Sequence, residues 1–165
     1  STVARFFSIE GNIRARRSGI KVSREYYRLL PVREANGEMR LKPVPMGDRA
    51  DIPEQILCRV IVTCNDEYHY VVIEDPHPAG FEPMQQLSDP GHGDYRDGWT
   101  PWTRHELHDE KTAIFATRLP KGRWSTEYRM RAEIPGRFSS LPTTVYAMYA
   151  PQANGNGPER KVSVR

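Results

Sequence analysis

The chain has 165 residues, 38% of them hydrophobic and 27% charged, and its 24 basic against 21 acidic residues leave a formal net charge of +3. That length suits one β-domain with a sizeable core, and no apolar run approaches the roughly 18 residues that would read as a membrane-spanning helix. Basic residues mostly alternate with apolar ones and cluster only at Arg14, Arg16 and Arg17. This describes a solvated face rather than a phosphate-binding stripe, so no nucleic-acid partner is expected. The first residues, Ser1, Thr2 and Val3, carry neither an initiator methionine nor a charged-then-apolar leader, which reads as a piece excised from a longer protein.

In chain order, residues 5–9 and 19–29 read as strands, and 31–47 as a polar, turn-rich connection. A clearer strand covers 56–64, where Ile56, Cys58, Val60, Val62 and Cys64 share one parity. Asn65-Asp66-Glu67 supplies a turn and 68–74 returns as the second strand of a pair, until Asp75-Pro76-His77-Pro78 ends it, because proline cannot donate to a ladder. Residues 84–105 form a long polar loop. Strand 112–119 leads through Leu119-Pro120-Lys121-Gly122 into 123–134, and these two are expected to form a long hairpin. In the second, Trp124, Thr126, Tyr128, Met130, Ala132 and Ile134 alternate without a break against charged and polar residues. Strands at 136–140, 143–149 and 161–164 complete the chain, with Asn154-Gly155-Asn156-Gly157 as a turn before the last.

Unbroken period-two patterning without a helical period implies an all-β fold: an antiparallel, immunoglobulin-like β-sandwich of seven to nine strands. Residues 1–165 are read as one domain, with 1–18 as an entering strand and 84–105 as its long loop. Cys58, Val60, Val62, Trp124, Tyr128 and Met130 should face inward, with Arg129 and Arg131 outward. Cys58 and Cys64 lie on one strand about 20 Å apart if it is extended, too far to bridge, and should be buried free thiols.

The residues offer little chemistry. His105 and His108 are three apart and on a strand point to opposite faces, and residues 89–98 do not match the spaced oxygen ligands of a calcium loop, so no metal or other cofactor is expected. No serine has a nucleophile-elbow context, the cysteines face inward, and nothing selects Glu74 and Asp75 over other acids, so the chain is not expected to be an enzyme. Tyr95, Trp99 and Trp102 could stack on a sugar or dock a protein, which would suit an independent extracytoplasmic carbohydrate-binding module, or could fold back over one end of the sandwich. Tyr128-Arg129-Met130-Arg131-Ala132 is similar to the Tyr-x-Cys-x-Ala run of immunoglobulin-like domains, with Met in the cysteine position.

Three further segments, in order, resemble one family. They are Val71-Val72-Ile73-Glu74-Asp75-Pro76-His77-Pro78-Ala79-Gly80-Phe81-Glu82-Pro83, then Arg118-Leu119-Pro120-Lys121-Gly122 with 128–132, and Ala147-Met148-Tyr149-Ala150-Pro151. Together with residues 19–27 they resemble the C-terminal macroglobulin-like domain of bacterial α2-macroglobulin-like proteins. The resemblance implies a very large extracytoplasmic protease inhibitor, periplasmic or anchored at the inner membrane, with a bait region and in many members a thioester. The Cys-x-Glu-Gln thioester motif is missing from this chain. The partners implied are the thioester domain and neighbouring macroglobulin-like domains of the same parent, target proteases reached through the parent, and a peptidoglycan-synthesising penicillin-binding protein. Met148 and Tyr149 match the family's Met-Tyr-x-Pro run. On one strand they would face opposite sides, one toward the core and one toward a neighbour, and they are the candidates for an apolar lid over the thioester.

Overall fold

The computed structural model describes residues 13–84, 92–93 and 102–165, with side chains for 13–84 and 104–165, and among these the chain forms strands and no helix. β1 (Arg16–Ser18) turns at Gly19 into the long β2 (Ile20–Arg33), which folds back into β3 (Met39–Pro45), and β4 (Arg49–Ala50) follows. β5 (Gln55–Cys64) and β6 (Tyr68–Pro76) are rich in β-branched and aromatic residues that suit a pleated, packed surface. The short β7 (Phe81–Pro83) and β8 (His92–Gly93) precede β9 (Trp102–Leu107), β10 (Lys111–Leu119) and β11 (Gly122–Ala132). The chain ends with β12 (Gly136–Ser140), β13 (Thr144–Ala147), β14 (Ala150–Asn156) and β15 (Arg160–Val164).

A single hydrogen-bonded path runs β7-β11-β5-β2-β1-β14-β13-β6-β10-β9, with β3 added to β2 and β8 to β11. The path folds over on itself, because Asp75 on β6 bonds side chains on β2, β5 and β11, which lie in its other half. The result is a two-layer sandwich with β7, β11, β5 and β2 facing β14, β13, β6, β10 and β9. The fold line runs through β1 and the following Gly19, which takes a φ of 79°. Gly155 on β14 pairs with Arg17 of β1, and a Cβ on it would stand 2.3 Å from the Ile20 carbonyl oxygen, so only glycine lets the two backbones approach. A second sheet, β12-β15-β4, closes one end, with β4 parallel to β15 while the other paired strands among the described residues are antiparallel.

The core fills the space between the layers. Cys58, Val60, Val62, Trp124, Tyr128 and Met130 are all buried, as their parity requires, and Arg131 is exposed. Cys58 and Cys64 are buried free thiols. Burial pushes the Cys64 thiol up to about 12.

Several expectations need correction. The fold is the expected all-β antiparallel sandwich, but its strand segments number fifteen among the described residues rather than seven to nine, and four of them, β1, β4, β7 and β8, are only two or three residues long. Neither expected pair is a hairpin. β5 pairs with β2 and β11, β6 with β10 and β13, and β11 with β5 and β7, so the turns at 65–67 and 120–121 carry the chain from one layer to the other. The polar stretch 31–47 contains the end of β2 and all of β3, paired from Tyr27↔Pro45 to Arg33↔Met39. Its distal half is exposed on both faces and so shows no alternation. Asn154-Gly155-Asn156 is strand, not turn, and its glycine serves the fold line. Ile134 lies past the end of β11 and is 56% exposed. The strand expected at 5–9 lies outside the described residues.

Candidate functional site

β6 and β13 run side by side from Thr144↔Glu74 to Ala147↔Val71, and the two ends of this pair hold the two notable side-chain groups. At one end Asp75 continues the inward parity of Val71 and Ile73, and Arg24 that of Ile20 and Val22. The two meet in the core. Arg24 Nη1 donates to Asp75 Oδ1 at 2.5 Å and to the Pro76 carbonyl at 2.9 Å, with the Arg24 side chain 4% and the Asp75 side chain 0% exposed. Thr143 Oγ1 donates to Oδ1 at 2.7 Å, while Tyr128 OH and Cys58 Sγ donate to Oδ2 at 2.7 and 3.3 Å. Four donors thus occupy the carboxylate, which matches its acceptor capacity. Arg24 also donates to the carbonyls of Ser140 and Leu141, tying the end of β12 and the link that leads to β13 to β2.

Electrostatics make this group a clamp. Burial is the largest single influence and disfavours the Arg24 charge, but the Asp75 carboxylate, with smaller help from Tyr26, Cys58 and Tyr128, holds the guanidinium above its ordinary value. Burial, reinforced by Asp75, pushes the Tyr128 phenol and the Cys58 thiol well up, so both remain protonated donors and Cys58 is no thiolate nucleophile.

The other end of the β6/β13 pair is an exposed aromatic corner. Met148 and Tyr149 form the two-residue turn between β13 and β14 and are 54% and 77% exposed. The Met148 amide donates to the Tyr70 carbonyl at 2.9 Å, and the Tyr149 ring packs edge to face on Tyr70, with centroids 5.2 Å apart and planes at 89°. Tyr70 and Tyr146 are themselves 50% and 38% exposed. Tyr146 pairs with Val72, which pairs with Phe115, and directly opposed residues share a face, so an apolar row runs from Tyr146 through the buried Val72 to the half-buried Phe115. A second exposed apolar stretch, Leu30, Val32, Met39 and Leu41 on the β2/β3 hairpin, is interspersed with Arg33, Arg40 and Lys42.

The family model described as the bacterial α2-macroglobulin MG10 domain matches residues 19–152, most of the chain. The chain belongs to this family. Solved structures similar to this MG10 domain include native α2-macroglobulin from Escherichia coli, spanning domain MG7 to the C-terminus, at 16% identity and a TM-score of 0.70, covering 92% of this chain and 24% of that one. Salmonella α2-macroglobulin reacted with methylamine is similar at 18% identity and a TM-score of 0.66, covering 92% and 10%. Trypsin-activated E. coli α2-macroglobulin is similar at 16% identity and a TM-score of 0.69, covering 93% and 11%. The chain therefore spans between a tenth and a quarter of these relatives. No curated protein sequence matches it.

Within the MG10 domain, the expected site residues separate. Met148 and Tyr149 do not alternate on a strand: β13 ends at Ala147, and both side chains project from the turn into solvent. Tyr95 and Trp99 lie outside the described residues, as does the side chain of Trp102, whose backbone begins β9. His105 lies 3.0 Å from Thr126 Oγ1, whereas His108, just past the end of β9, is exposed and 3.6 Å from Glu106. Among the described residues no three His, Cys, Asp or Glu side chains gather as a metal site. The sequence reading missed Asp75, Arg24 and Tyr70. Inward parity on β6 and β2 could have found the first two. Nothing in the sequence marks Tyr70, whose distinction is a backbone angle.

Proposed function

We propose that this MG10 domain is a non-catalytic structural and interaction domain of a bacterial α2-macroglobulin-type protease inhibitor, and that its aromatic corner docks on the parent's thioester domain and shields the thioester where the parent has one. The observation that carries this reading is the display of Met148 and Tyr149 on a braced turn, beside Tyr70 and Tyr146, where all four apolar side chains are exposed. Apolar groups gathered at one corner lose little by desolvation and gain by contact with a matching surface. A thioester survives only when water is kept from it, and a methionine beside aromatic rings covers a bond without offering a nucleophile stronger than a phenol of pKa about 10. Family membership and the protease-activated E. coli relatives support the inhibitor setting. An extracytoplasmic, periplasmic location and contact with target proteases through the parent belong to the same proposal. A penicillin-binding protein as partner is supported by neither the family match nor the relatives and is not proposed.

The test is thioester lifetime in the intact, uncleaved parent, followed as free thiol or as loss of methylamine-reactive sites. Replacing Met148 and Tyr149 together by Ala should accelerate thioester hydrolysis. An unchanged lifetime in a correctly folded double variant would sink the shielding role.

A further inference from the structure

Tyr70 is the sole non-glycine among the described residues with a positive φ, at 52°. A bulky side chain rarely occupies the left-handed region, because its Cβ crowds the neighbouring carbonyl, so such a residue persists only where its surroundings enforce it. The ladder around it is irregular too. β6 and β10 pair at Val71↔Ala116 and at His69↔Arg118 but not at the position between, and β13 and β14 shift register between Tyr146 and Ala147. Two backbone irregularities in adjacent pairings therefore converge on one corner. Their joint effect is visible in the contacts: the Tyr70 carbonyl turns to the Met148 amide, and its ring stands against Tyr149.

From this convergence we infer that Tyr70 is a positioning residue, whose left-handed backbone and ring brace the Met148–Tyr149 turn so that the docking surface is formed before its partner arrives. The inference deepens the proposed function and rests on it for what the turn docks against, though not for the bracing itself. Preorganisation matters because two side chains as exposed as Met148 and Tyr149 would otherwise lose rotamer freedom on contact, which weakens binding. A tyrosine confined to one left-handed well limits the chain more than a glycine at the same place, which visits both signs of φ.

Tyr70→Gly separates bracing from mere tolerance of strain. It relieves the Cβ clash and removes the ring, so if the strain is incidental the turn should be unaffected and the fold no less stable. The bracing role instead requires hydrogen exchange at the Met148 amide to rise at least about ten-fold in the Tyr70→Gly protein, with the Ile73 and Val145 amides unchanged. Tyr70→Phe, which keeps ring and Cβ, should restore wild-type exchange. Unchanged exchange at Met148 in Tyr70→Gly, or loss of protection equally in Tyr70→Phe, would overturn the inference. The docking reading fails separately: accelerated exchange in Tyr70→Gly together with an unchanged thioester lifetime in the Met148→Ala/Tyr149→Ala parent would uphold the brace and overturn the shield. Unchanged exchange with a shortened lifetime would do the reverse.

Discussion

Asp75 is an acid that a strand-by-strand reading passes over and the folded structure makes central. It closes the inward parity of β6, and its carboxylate is reached by donors from β2, β5 and β11 and from Thr143 ahead of β13. Removing one partner of a buried pair leaves the other charge without compensation in a dry core, which is far more damaging than never having had the pair. Asp75→Ala should therefore destabilise the fold by about 3–5 kcal/mol, read as a lower urea midpoint at unchanged slope. A loss under about 1 kcal/mol would mean that Arg24 finds another partner or water. Nearby, His77 Nε2 lies 2.8 Å from Thr112 Oγ1, and the ring is tilted against Tyr128 at 5.4 Å. Burial lowers its pKa, against the raising effect of Asp75. Because the folded pKa lies below the unfolded value of about 6.5, the unfolded chain takes up the proton first as pH falls. Stability from this group is full above pH about 6.5 and declines as pH drops through the folded pKa. Urea midpoints at pH 7.5 and 5 should accordingly fall more steeply for the wild type than for His77→Gln, whereas parallel profiles would remove His77 as the cause.

Among the elements, strand positions and inward faces were legible because period two is written into residues such as Trp124, Tyr128 and Met130 on β11. Pairing was not. A turn such as Asn65-Asp66-Glu67 reverses the chain equally well between neighbours in one sheet and between two layers, and either way both strands bury one face. The distinction lies in long-range partners, β2 for β5 and β13 for β6, that no local pattern encodes. Nor did local chemistry reveal why Asn154-Gly155-Asn156 is strand: a run that reads as a turn in isolation is a strand where two backbones must touch. Gly155→Ala tests that reason. Its added Cβ meets backbone rather than a movable side chain, so the fold line must open, with a loss of about 1–3 kcal/mol and a lower Tm. A neutral substitution would show that the close approach of β14 to Ile20 is not required.

Across the whole molecule, the β6/β13 pair joins a rigid polar clamp at Asp75 to an apolar corner at Tyr70, Tyr146, Met148 and Tyr149. On the proposed reading, this corner is where the domain meets the rest of its parent. The family resemblance pointed to Met148 and Tyr149 from sequence, but not to their turn or to Tyr70, because a left-handed angle on a tyrosine leaves no mark in the residue pattern. The most direct measurement places a photo-crosslinking amino acid at position 149 of the intact parent protein and maps its products before and after protease cleavage. A corner that docks within the parent should give an intramolecular crosslink to the thioester domain in the uncleaved protein, lost or reduced on cleavage. Absence of any crosslink to another domain of the uncleaved parent would contradict the account.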